Sequence, residues 1–98
     1  MSYWIHPEAL DDLDSAALYF ASMVSVRIAD EFLAEYERVL EVIQSNQRLG
    51  TPLGGEMREY QFTGFGYSLF YAEDEVLGPH IYAVANQSRE PGYWAWRV

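Results

Sequence analysis

Two apolar stripes of helical period, laid end to end in the first half of the chain, leave it few folds to choose from. Leu10, Leu13, Ala17, Phe20 and Val24 recur at spacings of three and four. Ile28, Phe32, Leu33, Tyr36, Val39, Leu40 and Ile43 repeat the pattern and run to near Asn46. Pro7 suits a first helical position, where its missing N–H has no partner to lose. Glu8, Asp11 and Asp12 put acids near the positive end of the helix dipole. Ser22 to Ser25 predicts the turn, with Ser25 as N-cap of the second helix. Two amphipathic helices so joined form an antiparallel hairpin, and stripes this wide can bury against each other and against a sheet.

The strands for that sheet lie on either side of the hairpin. Ser2 to Ile5 predicts a short strand of aromatic and β-branched residues. Gln47 to Gly55, with Gly50, Pro52, Gly54 and Gly55, reads as a loop. It is not a phosphate loop, because no lysine follows the glycines and no strand precedes them. Met57 to Phe62 alternates, Thr63-Gly64-Phe65-Gly66 turns, and Tyr67 to Glu73 predicts a strand with Tyr67, Leu69 and Tyr71 on one face. After a turn region at Glu73-Asp74-Glu75 and Gly78-Pro79, His80 to Ala85 predicts another strand, and Tyr93 to Val98 a last one. The expected architecture is α+β in two layers, a helical hairpin on one face of an antiparallel sheet whose other face is open. The 98 residues suit a single domain, residues 1–98.

Charge narrows the function. Fifteen acids face six bases, a net charge of −9, and all six bases are arginines, at positions 27, 38, 48, 58, 89 and 97. Nucleic-acid affinity comes mainly from cations that neutralise phosphates, so no direct nucleic-acid binding is expected. The plainer reading of the acids is a solvated surface. With no cysteine, thiolate chemistry is excluded. No run approaches the ~20 apolar residues of a membrane span, and the start Met1-Ser2-Tyr3-Trp4 lacks a signal-peptide pattern. No membrane association is expected, and a cytoplasmic location is.

Candidate chemistry is sparse. His6 and His80 share no ligand spacing, and Glu73-Asp74-Glu75 lacks the glycine and spacing of a calcium loop, so no metal site and no cofactor are expected. No serine sits in a nucleophile elbow. One segment stands out: Ile81 to Arg97 opens as an apolar strand, breaks at Asn86-Gln87-Ser88, then sets Arg89, a Pro91-Gly92 turn, Tyr93, Trp94, Trp96 and Arg97 together. Tryptophan beside arginine favours a binding surface; a closing strand that packs its rings fits equally.

The chain resembles the RelE/ParE toxin superfamily of toxin–antitoxin systems, and within it ParE-like plasmid stabilisation toxins. The resemblance is carried by His6-Pro7-Glu8-Ala9, by Arg58, by Phe65-Gly66-Tyr67-Ser68-Leu69-Phe70-Tyr71, and by Ala83-Val84-Ala85-Asn86 followed by Arg89-Glu90-Pro91-Gly92-Tyr93-Trp94 and Arg97. It covers nearly the whole chain, and its last segment is the specific one. It implies a strand, a helical hairpin and four more strands in sheet order 1-5-4-3-2, with Ser2–Ile5 paired to Tyr93–Val98.

The resemblance also implies a type II toxin that binds a cognate antitoxin, as a dimer or a toxin–antitoxin hetero-oligomer. One branch of the superfamily cleaves mRNA on the ribosome with lysines and arginines on the open sheet face, cations that would stabilise developing charge. The matching positions here are Glu59, Gln61 and Ser68, which leaves only Arg89 and Tyr93. The other branch, ParE-like, blocks DNA gyrase without catalysis, and the missing bases fit it better. Arg58, Asn86, Arg89, Tyr93, Trp94 and Arg97 are thus the expected target- or antitoxin-binding residues, and no catalytic residue is assigned. Asn86 replaces a histidine common in this subgroup. Arg58 has a structural alternative, an ion pair with Glu56 or Glu90. An mRNA endoribonuclease rearranged around Arg89 and a non-toxic antitoxin-binding paralogue remain the alternatives. The acidity implies a partner whose docking segment is basic or mainly apolar.

Overall fold

In a computed structural model, which describes residues 2–90 and 92–98, the helical hairpin forms where its stripes place it. Helix α1 spans Pro7–Met23 and α2 spans Val26–Ser45. His6 caps α1, its Nδ1 accepting from the Glu8 amide at 3.1 Å. Ser25 caps α2, its Oγ accepting from the Ile28 amide at 3.1 Å, so the expected N-cap is present. The break is narrower than expected, only Val24 and Ser25, and Val24 is exposed.

Strands β1 (Trp4–Ile5), β2 (Thr51–Gly54), β3 (Met57–Gln61), β4 (Tyr67–Ala72) and β5 (His80–Asn86) make one sheet in the order β1-β5-β4-β3-β2. The architecture and order are those expected, but two of the segments differ. Thr51–Gly54, read as loop, is an edge strand paired with β3. Proline and glycine are tolerated there because an edge strand has only one ladder to serve, and a bulge at Leu53 absorbs the irregularity. Tyr93–Val98, expected as a strand, is instead a run of turns closing in a 3₁₀ turn at Ala95–Arg97. The partner of β1 is therefore β5, through Trp4 opposite His80 and Ile5 opposite Ile81, and this pairing is parallel. The sheet is therefore mixed, not the antiparallel one expected, because no tail strand forms to run antiparallel beside β1 and β5 takes that place instead; the other three pairings are antiparallel.

The core lies between the hairpin and the sheet. Helix α1 sits close on β5 because its facing residues, Ala9, Leu13 and Ala16, are mostly small. Helix α2 fills its side with larger groups, Phe32, Tyr36, Val39 and Ile43. From the sheet come Leu69, Tyr71, Ile81 and Val84. Leu10 belongs to the expected stripe but is exposed, and its neighbour Ala9 is the residue of that turn buried in the core.

Arg58 shows how the far end of the sheet is held. Its guanidinium pairs with Glu73 at 2.5 Å and donates to the carbonyls of Gly50 at 2.7 Å and Arg48 at 3.1 Å. The Tyr71 hydroxyl donates to the Gln47 carbonyl and accepts from the Gly50 amide at 3.0 Å. Together they clamp the turn that feeds β2. A Cβ on Gly50 would lie 2.5 Å from the Tyr71 oxygen, so glycine is required by space there.

Candidate functional site

The site forms because β5 outlasts its neighbour. Strand β1 ends at Ile5 opposite Ile81, while β5 runs on to Asn86. Beyond that point the outer backbone groups of β5 need partners, since buried amides and carbonyls left bare are costly. Side chains supply them. Asp12, on α1, accepts from the Val84 amide at 3.2 Å, and Arg97 donates to the Tyr82 carbonyl at 3.0 Å. The same two residues pair with each other: Arg97 Nη1 lies 2.7 Å from Asp12 Oδ2, with Nη2 3.4 Å from Oδ1. Tyr93 adds its hydroxyl to Asp12 Oδ2 at 3.2 Å.

This carboxylate, with side-chain exposure of 13% against 6% for Arg97, therefore ties the C-terminal segment to both α1 and β5. Burial works against the Arg97 charge, but the Asp12 hydrogen bonds and charge outweigh it and raise the arginine's pKa above its ordinary value. Burial, reinforced by the charge of Asp12, pushes the Tyr93 phenol up to about 12.

Held this way, the segment crosses the face of the sheet expected to be open. Trp94 packs on Phe70, ring centroids 5.2 Å apart, and Ser68, Ala83 and Ala85 on that face are buried. Asn86 ends β5 and folds the chain back: its Oδ1 accepts from the Ser88 amide at 2.8 Å and the Ser88 hydroxyl at 2.7 Å. Arg89 then stacks over the Tyr93 ring, 3.9 Å from its centroid. Gly92 permits the return with φ of 79°; Pro91, the other half of the expected turn, lies outside the described residues.

Of the six residues expected at the site, four meet. Asn86, Arg89, Tyr93 and Trp94 line one open cleft of about 370 Å³, with Leu53, Glu59, Gln61, Phe70 and Glu90 among its other walls. Arg97 lies outside it, in a second hollow that it shares with Asp12, Tyr19 and Asn86. Arg58 belongs to neither hollow. Its partner is Glu73, not the expected Glu56 or Glu90, and its role is the turn clamp described above. Asp12 was legible only as a helix-start acid; nothing in its spacing ties it to Arg97, 85 positions away. Among the described residues no three histidines, aspartates or glutamates are grouped to hold a metal ion, and no helix is long and apolar enough to cross a membrane.

These features define an α+β fold with a helical hairpin over a five-stranded sheet of order 1-5-4-3-2 and a C-terminal segment closing part of the far face. The same fold is found in a chain of the chromosomal ParDE TA system from P. aeruginosa, with a TM-score of 0.74 over 88% of this chain and 95% of that one. The two are 13% identical, so the likeness is one of fold. No protein-family model matches the chain, and no curated protein matches it by sequence.

Proposed function

We propose that this chain is the toxin half of a type II toxin–antitoxin module of the cytoplasm. In this reading it binds a cognate antitoxin and acts by occluding a protein target, with DNA gyrase the first to test. The fold shared with a chain of the ParDE TA system supports the toxin–antitoxin part. The observation that carries the non-catalytic part is the makeup of the cleft: Glu59 and Gln61 stand on its β3 wall, where cleavage of an RNA backbone would call for cations. Two of the arginines near the sheet, Arg58 and Arg97, are committed to carboxylates and backbone carbonyls. Tyr93, with a pKa of about 12 and its proton directed at Asp12, is poorly matched to a general base at neutral pH.

Induction of the chain alone in a bacterial host tests the reading. Growth arrest, relieved by the adjacent reading frame, is expected, together with loss of supercoiling by purified gyrase at micromolar protein. New mRNA ends in a primer-extension assay would favour the endoribonuclease instead, through Arg89 stacked on Tyr93. Harmless expression with a stable complex to a partner would favour the antitoxin-binding paralogue.

A further inference from the structure

The cleft holds an unanswered charge. Glu59 lies directly opposite Phe70 across the β3–β4 ladder, and Phe70 carries Trp94 on its ring. Glu90 stands on the same cleft, which is therefore an aromatic floor with carboxylates at its edge. Among the described residues neither Glu59 nor Glu90 has an ion-pair partner. Among the described residues Arg89 is the one cation that lines the cleft, and it is stacked over Tyr93. A guanidinium suits such a place: its plane stacks on an aromatic face while its edge forks onto a carboxylate. The chain as a whole, at −9, would draw a basic segment toward it.

We infer that this cleft is the docking site for a basic peptide segment of a protein partner, with an arginine side chain lying on Trp94 and Phe70 and reaching Glu59 and Glu90. This deepens the toxin reading by taking the antitoxin as that partner, so that its docking segment is cationic.

The test uses a short fluorescein-labelled peptide alternating arginine and leucine, a glutamate–leucine peptide of the same length, and a single-stranded oligouridine. Binding is followed by anisotropy, and the site is mapped by backbone and indole amide shifts. The arginine peptide is expected to bind in a salt-sensitive way, shifting Glu59, Gln61, Glu90 and the Trp94 indole. The Glu59→Gln, Glu90→Gln double variant, whose carboxylates hold no ion pair among the described residues, should weaken it about fivefold with the thermal midpoint unchanged. Equal binding of the glutamate peptide, tighter binding of oligouridine, shifts confined to the helical hairpin, or an unaffected double variant would each overturn the inference. No antitoxin enters this assay. A failed peptide therefore leaves the toxin reading standing, and a harmless protein that still takes the peptide loses only that reading.

Discussion

Asp12 and Arg97 stand 85 positions apart in sequence and 2.7 Å apart in space, and the pair completes a strand border that β1 is too short to cover. Removing one partner strands a largely buried charge, which costs more than the pair itself contributes. Asp12→Ala is expected to destabilise the fold by about 3 kcal/mol, measured by urea unfolding. Adding Arg97→Met should recover part of that loss, because no unpaired guanidinium then remains.

Tyr93 gives this corner an alkaline signature. Its folded pKa, about 12, lies above the ordinary 10.0. A raised value means that the stabilisation is complete below the unfolded pKa and is lost as pH rises through the folded one. Unfolding free energy should therefore decline between pH 10 and about 12. Tyr93→Phe should flatten that decline, as read from denaturation midpoints across the range.

The acid side is governed elsewhere. Arg38 donates twice to Glu35 at 2.7 Å and the Thr63 amide once, at 2.7 Å. The Arg38 hydrogen bonds, followed by that of Thr63, hold the Glu35 carboxyl below its ordinary 4.5. A depressed value means stability present above the unfolded pKa and lost as pH falls through the folded one. Glu35→Gln should lower stability at neutral pH by about 0.5 kcal/mol, Arg38 being half exposed. It should also reduce the slope of stability against pH below 4.5.

Space around Gly50 offers a steric test. A methyl there meets the Tyr71 oxygen at 2.5 Å and ring carbons at 2.9 and 3.0 Å. Gly50→Ala is expected to cost about 2 kcal/mol. In a Tyr71→Phe background the penalty should shrink, since the nearest atom is gone, and a double-mutant cycle on thermal midpoints would reveal the coupling.

Arg58 and Arg89 separate scaffold from surface. Arg58→Ala leaves Glu73 and two carbonyls without their donor and should cost about 2 kcal/mol. Arg89→Ala should leave stability within about 0.5 kcal/mol yet weaken growth arrest on induction. Equal loss of stability in both would show that Arg89 too is a strut.

The hairpin was readable because a helix repeats its buried face every three or four residues, and Phe32, Tyr36, Val39 and Ile43 keep that beat without a gap. Strands β3 to β5 were readable by alternation. Strand β2 was not, because Thr51-Pro52-Leu53-Gly54 has the composition of a loop and all four residues are exposed. The tail misled in the opposite sense. Tyr93, Trp94 and Trp96 have the side chains of a strand, but such preference yields to local packing, here the Phe70 ring and the Asp12 carboxylate. Four of the six expected site residues do converge, since Asn86, Arg89, Tyr93 and Trp94 lie close in sequence around one return turn. Arg58 and Arg97 fell outside because nothing in the sequence marks Glu73 or Asp12 as their partners.

The strand at the far border has a social consequence. Pro52 brings no amide hydrogen, Leu53 bulges, and at the opposite border β1 offers only two residues. Neither flank gives a straight row of donors and acceptors on which another molecule's strand could nucleate. Copies of this chain are thus steered away from joining edge to edge into one continuous sheet.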